Sequence, residues 1–181
     1  RAFPTSKDTP FDQIAHLMEQ IQQIPHLRTH FVSPWIPQYT GRGTRADGSK
    51  KVQKVVVAPC HGWLHILVNP KRGTLSLHHF QRSGDVPVGV AGNIIQYAAL
   101  TMMLAQITGY RADKLVYTFS DAHIYERQMI DVQDMLATAP QRFPTVMLDP
   151  TVKDIFDFRP NHFTVSDYNP QLPPRQIWTP V

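Results

Sequence analysis

Ala58-Pro59-Cys60-His61-Gly62 opens a segment that runs on through Trp63-Leu64-His65-Ile66-Leu67-Val68, turns at Asn69-Pro70-Lys71-Arg72-Gly73, and returns through Thr74 to Phe80 to reach Gln81-Arg82-Ser83-Gly84-Asp85. The two apolar runs are β-rich and the segment between them is a turn, so the pattern predicts a hairpin that brings Gln81-Arg82-Ser83 back beside Cys60. Val55-Val56-Val57-Ala58 also reads as a strand, which places Cys60 within a strand or at its bend. Cys60 is the only cysteine in 181 residues. With no second cysteine here to pair with, it serves either packing or chemistry. A buried cysteine commonly acts as a small hydrophobe. A reactive thiolate needs a cation or hydrogen-bond donors at its side, and Arg82 could supply both from the adjoining strand.

Upstream, Asp8-Thr9-Pro10 supplies a cap and an early proline to a run with Phe11, Ile14, Leu17, Met18, Ile21 and Ile24 on one face, predicting an amphipathic helix over 10–24. Pro25 ends it, and His26 to Ser33 leads into a strand. Residues 37–54 are rich in glycine and basic side chains, as in an exposed loop. That loop is either a basic flap near a polyanionic ligand or a tolerated insertion. Downstream, Gly89-Val90-Ala91-Gly92-Asn93 precedes a helix predicted over 93–107 that is apolar on nearly every side. The charge-free stretch from Val86 to Tyr110 is long enough to cross a membrane. Its Pro87, Asn93, Gln96 and Gln106 would be costly in lipid, so it reads as a buried core helix. Leu115 to Phe119 is a strand leading into Ser120-Asp121-Ala122-His123-Ile124-Tyr125, and a further helix runs close to Ala137. Pro140, Pro144 and Pro150 divide the remainder into short strands at 145–148 and 162–165, and the proline-rich tail from Pro170 is extended.

Length and a 42% hydrophobic content fit one domain over 1–181 with a sizeable core. The net charge of +4 comes without a long Lys/Arg block, which suits an anionic small molecule and argues against nucleic acid. A single cysteine and no signal-peptide pattern point to a reducing, cytoplasmic setting. No Cys/His cluster has metal-ligand spacing, and His78 and His79, adjacent on a strand, point to opposite faces, so no metal is expected.

The ordered set Pro59-Cys60-His61, then Gln81-Arg82-Ser83-x-Asp85, then Gly89-x-x-x-Asn93, then Asp121-Ala122-His123-Ile124-Tyr125 resembles the thymidylate synthase family. The resemblance runs from Arg1 to Val181, with the motifs in family order, and corresponds to the family's C-terminal two-thirds. It implies an α+β fold in which a mixed β-sheet is packed by helices and one sheet face is used for dimerisation, hence a homodimer with no membrane partner. It also implies a further N-terminal segment carrying a catalytic glutamate and folate-contacting tryptophans, and a C-terminus that extends slightly further.

For the site, the resemblance implies that Cys60 adds to carbon 6 of a pyrimidine nucleotide and turns carbon 5 into a nucleophile. Arg82 would favour the thiolate and hold the 5′-phosphate with Ser83, while Arg28 would reach the phosphate of the neighbouring subunit. Asn93 would read uracil through its paired donor and acceptor, whereas an aspartate there would lean towards cytosine. His123 and Tyr125 would bind the sugar 3′-hydroxyl, His61 would order water near the base, and Gln81 and Asp85 would shape the pocket. Asp85 and Gly89 would also meet the co-substrate, 5,10-methylenetetrahydrofolate. Read without the family, Arg28 is a surface charge, Asn93 a helix-start residue, and His123 and Tyr125 core or rim residues.

The implied reaction gives dTMP and dihydrofolate from dUMP. Thr29 stands where the family has a second arginine, Ala91 where it has a proline and Gly92 where it has a phenylalanine. These changes fit a relative that hydroxymethylates dUMP or dCMP. A third reading, from another class, is a catalytically silent nucleotide-binding fragment.

Overall fold

Asp12 sets the start of the first helix, because its carboxylate accepts the backbone N–H groups of Ile14 and Ala15 at 2.9 and 3.1 Å, two donors with no partner inside the helix. The computed structural model describes residues 11–41, 43–51 and 55–180. The expected cap at Asp8 lies outside them. The helix, α1 (Gln13–Gln23), buries Leu17, Met18 and Ile21, the stripe expected from the spacing.

There follow β1 (Phe31–Val32), the single turn α2 (Pro37–Thr40) and a small ribbon of β2 (Gly43–Thr44) with β3 (Lys50–Lys51), so the described part of the 37–54 segment carries more structure than a bare loop. The hairpin of β4 (Trp63–Asn69) and β5 (Thr74–Gln81) pairs Trp63 with Phe80 and Asn69 with Thr74, as its sequence predicts. After β6 (Gly84–Asp85) comes a π-helical turn over Val86–Val90, which runs into α3 (Ala91–Thr108). Then come β7 (Arg111–Phe119), β8 (Ala122–His123), α4 (Met129–Ala137), β9 (Thr145–Leu148) and β10 (Phe163–Ser166).

The main sheet has the order β1-β4-β5-β7. Its first three strands are antiparallel and β5 runs parallel to β7, a pairing that needs a crossover, which α3 provides. The architecture is therefore α+β with a mixed sheet packed by helices. Leu64, Ile66, Leu75 and Leu77 point from the sheet into the core, where they meet α1 and the Tyr97, Leu104 and Ala105 side of α3. On the opposite face Phe31, Leu67, Phe80 and Val116 are exposed.

Two expectations are corrected. Residues 55–57 form bends and Ala58 is irregular, with Val56 and Val57 exposed, so no strand forms over 55–58. The carbonyls of Ala58, Pro59 and Cys60 are taken by Arg82 and are not available to a strand ladder. The apolar helix is long and apolar enough by composition to cross a membrane, yet only 28% of the residues in that window are buried. It is a core helix on one side only, with Ile95 at 70% exposure, while Gln106 donates to the carbonyls of Asp149 and Val152.

Leu77 is fully buried at the centre of this packing. Leu77→Ala should cost about 3 kcal/mol, from lost burial plus the cavity left behind. Urea unfolding would register this as a lower midpoint at unchanged slope.

Candidate active site

The hairpin carries Arg82 to Cys60, and the contact has several parts. The Arg82 backbone N–H donates to the Cys60 carbonyl at 2.9 Å, Nε to the Pro59 carbonyl at 2.7 Å, and Nη2 to the Ala58 carbonyl at 2.8 Å. Nη2 also donates to Cys60 Sγ at 3.3 Å. One guanidinium thus shapes the loop that holds the thiol and places positive charge against the sulfur.

Gly62 lets the loop enter β4. Its φ of +106° is unfavourable for a side chain, and a Cβ there would stand 3.2 Å from Pro34 Cγ. Its N–H donates to His79 Nε2 at 2.9 Å. His79 is fully buried, stacks on Tyr97 with ring centres 3.9 Å apart, and lies 4.3 Å from the Tyr117 ring. Burial, with the neighbouring His61 and His78 acting in the same direction, pushes the His79 pKa down to about 4. His79 is therefore neutral, and because Nε2 accepts, its proton sits on Nδ1. Burial likewise lowers the pKa of His61 and raises Tyr97 to about 12 and Tyr117 to about 12. His61 Nδ1 and the Tyr97 hydroxyl are 2.5 Å apart.

A second chain of bonds orients Asn93. The Tyr117 hydroxyl donates to Gln81 Oε1. Gln81 Nε2 is thereby turned towards the Ser83 carbonyl at 2.9 Å and Asn93 Oδ1 at 3.3 Å. Asn93 is the third residue of α3, after the π-helical turn, and not its cap. Gly89 lies in that turn, where an added Cβ would stand 3.8 Å from Asn93 Oδ1. Gly84 permits the close approach of β6, since a Cβ there would fall 2.9 Å from Val90 Cγ2.

The parallel pair β6–β8 sets Asp85 opposite His123. Ser83 Oγ donates to Asp121 Oδ2 at 3.2 Å, the same oxygen that lies 3.1 Å from His123 Nδ1, and the His123 and Tyr125 rings meet edge-on at 4.9 Å. Both oxygens of Asp85 accept from Gln128 Nε2, at 3.1 and 3.0 Å. Cys60, His61, Gln81, Arg82, Ser83, Asp85, Gly89, Asn93, His123 and Tyr125 thus gather where β5 and β7 end.

Arg28 is not linked to this group. It is exposed, and its carbonyl accepts His65 Nε2–H at 3.0 Å, beside the outer sheet face. Sequence reasoning missed His79, Tyr97, Tyr117 and Gln128. For His79 a signal existed: with Leu75, Leu77 and Gln81 it occupies the inward positions of β5, where a polar side chain needs a reason. Among the described residues, no group of three His, Cys, Asp or Glu side chains is placed to share a metal ion.

Residues 1–178 match the family model described as thymidylate synthase. The chain belongs to the thymidylate synthase family. Its α+β architecture, with a mixed sheet packed by helices, is consistent with that family's fold. Thymidylate synthase family membership supports one-carbon transfer to dUMP with methylenetetrahydrofolate as co-substrate, by a methyl- or hydroxymethyltransferase.

Neutral buried histidines make stability depend on pH. The unfolded chain binds a proton at His79 below about pH 6.5, and the folded protein does not until about pH 4. Stability therefore falls as pH drops through this window, by up to about 3 kcal/mol from His79, and levels off below it. Urea midpoints across the window should show this slope, and His79→Phe should reduce it, leaving the smaller contributions of His61 and His30, whose pKa values burial also lowers.

Proposed function

We propose that this protein makes dTMP from dUMP, with 5,10-methylenetetrahydrofolate supplying both the one-carbon unit and a hydride and leaving as dihydrofolate. The observation that carries the reading is the Arg82 Nη2 contact with Cys60 Sγ at 3.3 Å, made while the same guanidinium holds the Cys60 loop. Cys60 adds as thiolate to carbon 6 of the base, which makes carbon 5 nucleophilic enough to attack the one-carbon donor. Loss of the carbon 5 proton then breaks the bond to the folate nitrogen, leaving an exocyclic methylene on carbon 5 and tetrahydrofolate. Hydride from tetrahydrofolate reduces that methylene to methyl as the thiolate leaves carbon 6, and dihydrofolate is formed.

Nε and Nη2 of Arg82 are used within the loop, so Nη1 is the group left for the nucleotide phosphate. Ser83 can add a hydroxyl there on release from Asp121. Asn93 Oδ1 already accepts from Gln81, and its second lone pair and the Nδ2 group complement N3–H and O4 of uracil. His123 and Tyr125 serve the sugar 3′-hydroxyl, and His61 orders water near the base. The half-buried Asp85 carboxylate, close to the Gly89 turn, suits the N–H donors of a pterin ring. The exposed outer sheet face, with Phe31, Trp63, His65, His78 and Phe80 lining one hollow, suits a homodimer in which Arg28 reaches a partner's nucleotide. The reading includes one domain over 1–181 and a cytoplasmic setting.

One observation favours a second reading. A Cβ added at Gly92 would meet nothing within 4 Å, so the wall beside Asn93 is open. Water reaching that point would capture the exocyclic methylene, giving a 5-hydroxymethyl nucleotide and regenerating tetrahydrofolate.

Incubation of the full-length protein with dUMP and methylenetetrahydrofolate, with mass analysis of the nucleotide, distinguishes the two. A methylated product with dihydrofolate is expected, and a hydroxymethylated product would establish the second reading. Cys60→Ala should abolish turnover while dUMP still raises the melting temperature. Asn93→Asp should shift preference from dUMP towards dCMP; unchanged preference would overturn the role given to Asn93.

A further inference from the structure

We infer that Gln128 is a positioning residue that joins the co-substrate side of the site, the sugar side and the C-terminal tail through one buried amide. The inference rests on the functional reading above for the roles of Asp85 and Tyr125, and on geometry for everything else. Gln128 is completely buried, although its neighbours Arg127 and Met129 are exposed. Its Oε1 accepts the Tyr125 backbone N–H at 2.9 Å. Its Nε2 donates to both carboxylate oxygens of Asp85, at 3.1 and 3.0 Å, and to the Trp178 carbonyl at 2.9 Å.

The two amide hydrogens thus have separate destinations, one spanning the carboxylate and the other meeting the tail. The partners also fix which way the amide points. A backbone N–H can only donate, and a carboxylate and a carbonyl can only accept, so a flipped amide would set donor against donor and acceptor against acceptor. The tail has other anchors. The Trp178 ring meets Tyr125 edge-on at 5.6 Å and lies 4.8 Å from the Arg127 guanidinium. Arg175 pairs with Asp131 at 3.2 Å and Asp134 at 2.9 Å. Losing Gln128 would therefore free the tail around Trp178 while Arg175 still tethers it, and would leave Asp85 without the donor that orients it.

The test uses Gln128→Glu and Gln128→Leu in the full-length protein. Gln128→Glu keeps size and the acceptor for Tyr125 but replaces the donor with a second carboxylate facing Asp85; His123 stands opposite Asp85 across β6–β8, and Tyr125, Glu126 and Arg127 flank position 128 in its own turn. At about pH 8 the two carboxylates repel, whereas nearer pH 6 a shared proton restores a donor.

For Gln128→Glu at the higher pH, KM for methylenetetrahydrofolate should rise about 10-fold while KM for dUMP changes less, and amide protection over 172–180 should fall by a similar factor. Both effects should shrink at the lower pH. Gln128→Leu should show the losses without the pH-dependent recovery. Equal losses at every pH in both variants, or a tail whose protection does not change, would overturn the inference. Amide exchange needs no turnover, so it tests the coupling even if the wild-type protein fails to convert dUMP, a failure that would count against the functional reading alone.

Discussion

The guanidinium of Arg82 is the constraint on which the rest of the site depends. A loop with three consecutive carbonyls turned inward, at Ala58, Pro59 and Cys60, would be expensive without donors to meet them. Arg82 meets all three with its own N–H and side chain, and uses the remaining Nη2 hydrogen on the sulfur. The same bonds that occupy the carbonyls of 58–60 thus present the thiol. Structure and reactivity are coupled here because an arginine has more donors in a fixed plane than either task needs alone.

Behind the loop lies a layer of neutral polar rings. His79, Tyr97 and Tyr117 pack beneath Gly62, His61 and Gln81 and are uncharged near neutral pH, with burial pushing His79 down and both tyrosines up, further from ionisation. Uncharged rings can pack like hydrophobes and still fix the direction of each hydrogen bond they make. The bond from Tyr117 decides how Gln81 faces, and Gln81 decides how Asn93 faces. Base recognition is thereby traced to a tyrosine on a different strand from the asparagine that would perform it.

Much of this was legible in the sequence where local pattern and pairing agree. The β4–β5 hairpin, the stripe of α1 and the meeting of Cys60 with Arg82 follow from alternation, spacing and one turn. The strand read at 55–58 is absent: Val-Val-Val carries β propensity but forms bends, and the carbonyls that follow it, at 58–60, meet a residue more than twenty positions away. Asn93 was read as a possible cap because a π-helical turn looks like a loop when only prolines and glycines are counted. Gln128 carried no local signal: its partners lie at Asp85, Tyr125 and Trp178, brought together only by the fold.

The π-helical turn at Val86–Val90 fixes how many residues separate β6 from α3. Such a turn holds about one residue more than an α-helical turn. With Tyr97 and Leu104 anchoring α3 in the core, removing a residue there would wind the start of the helix round by about 100° relative to β6. Point substitutions on this surface can be absorbed by repacking, but a change of length cannot. The residue count of this segment is therefore held more tightly than its exposed side chains at Val86 and Val88, and a chain shortened here would turn its asparagine away from its glutamine.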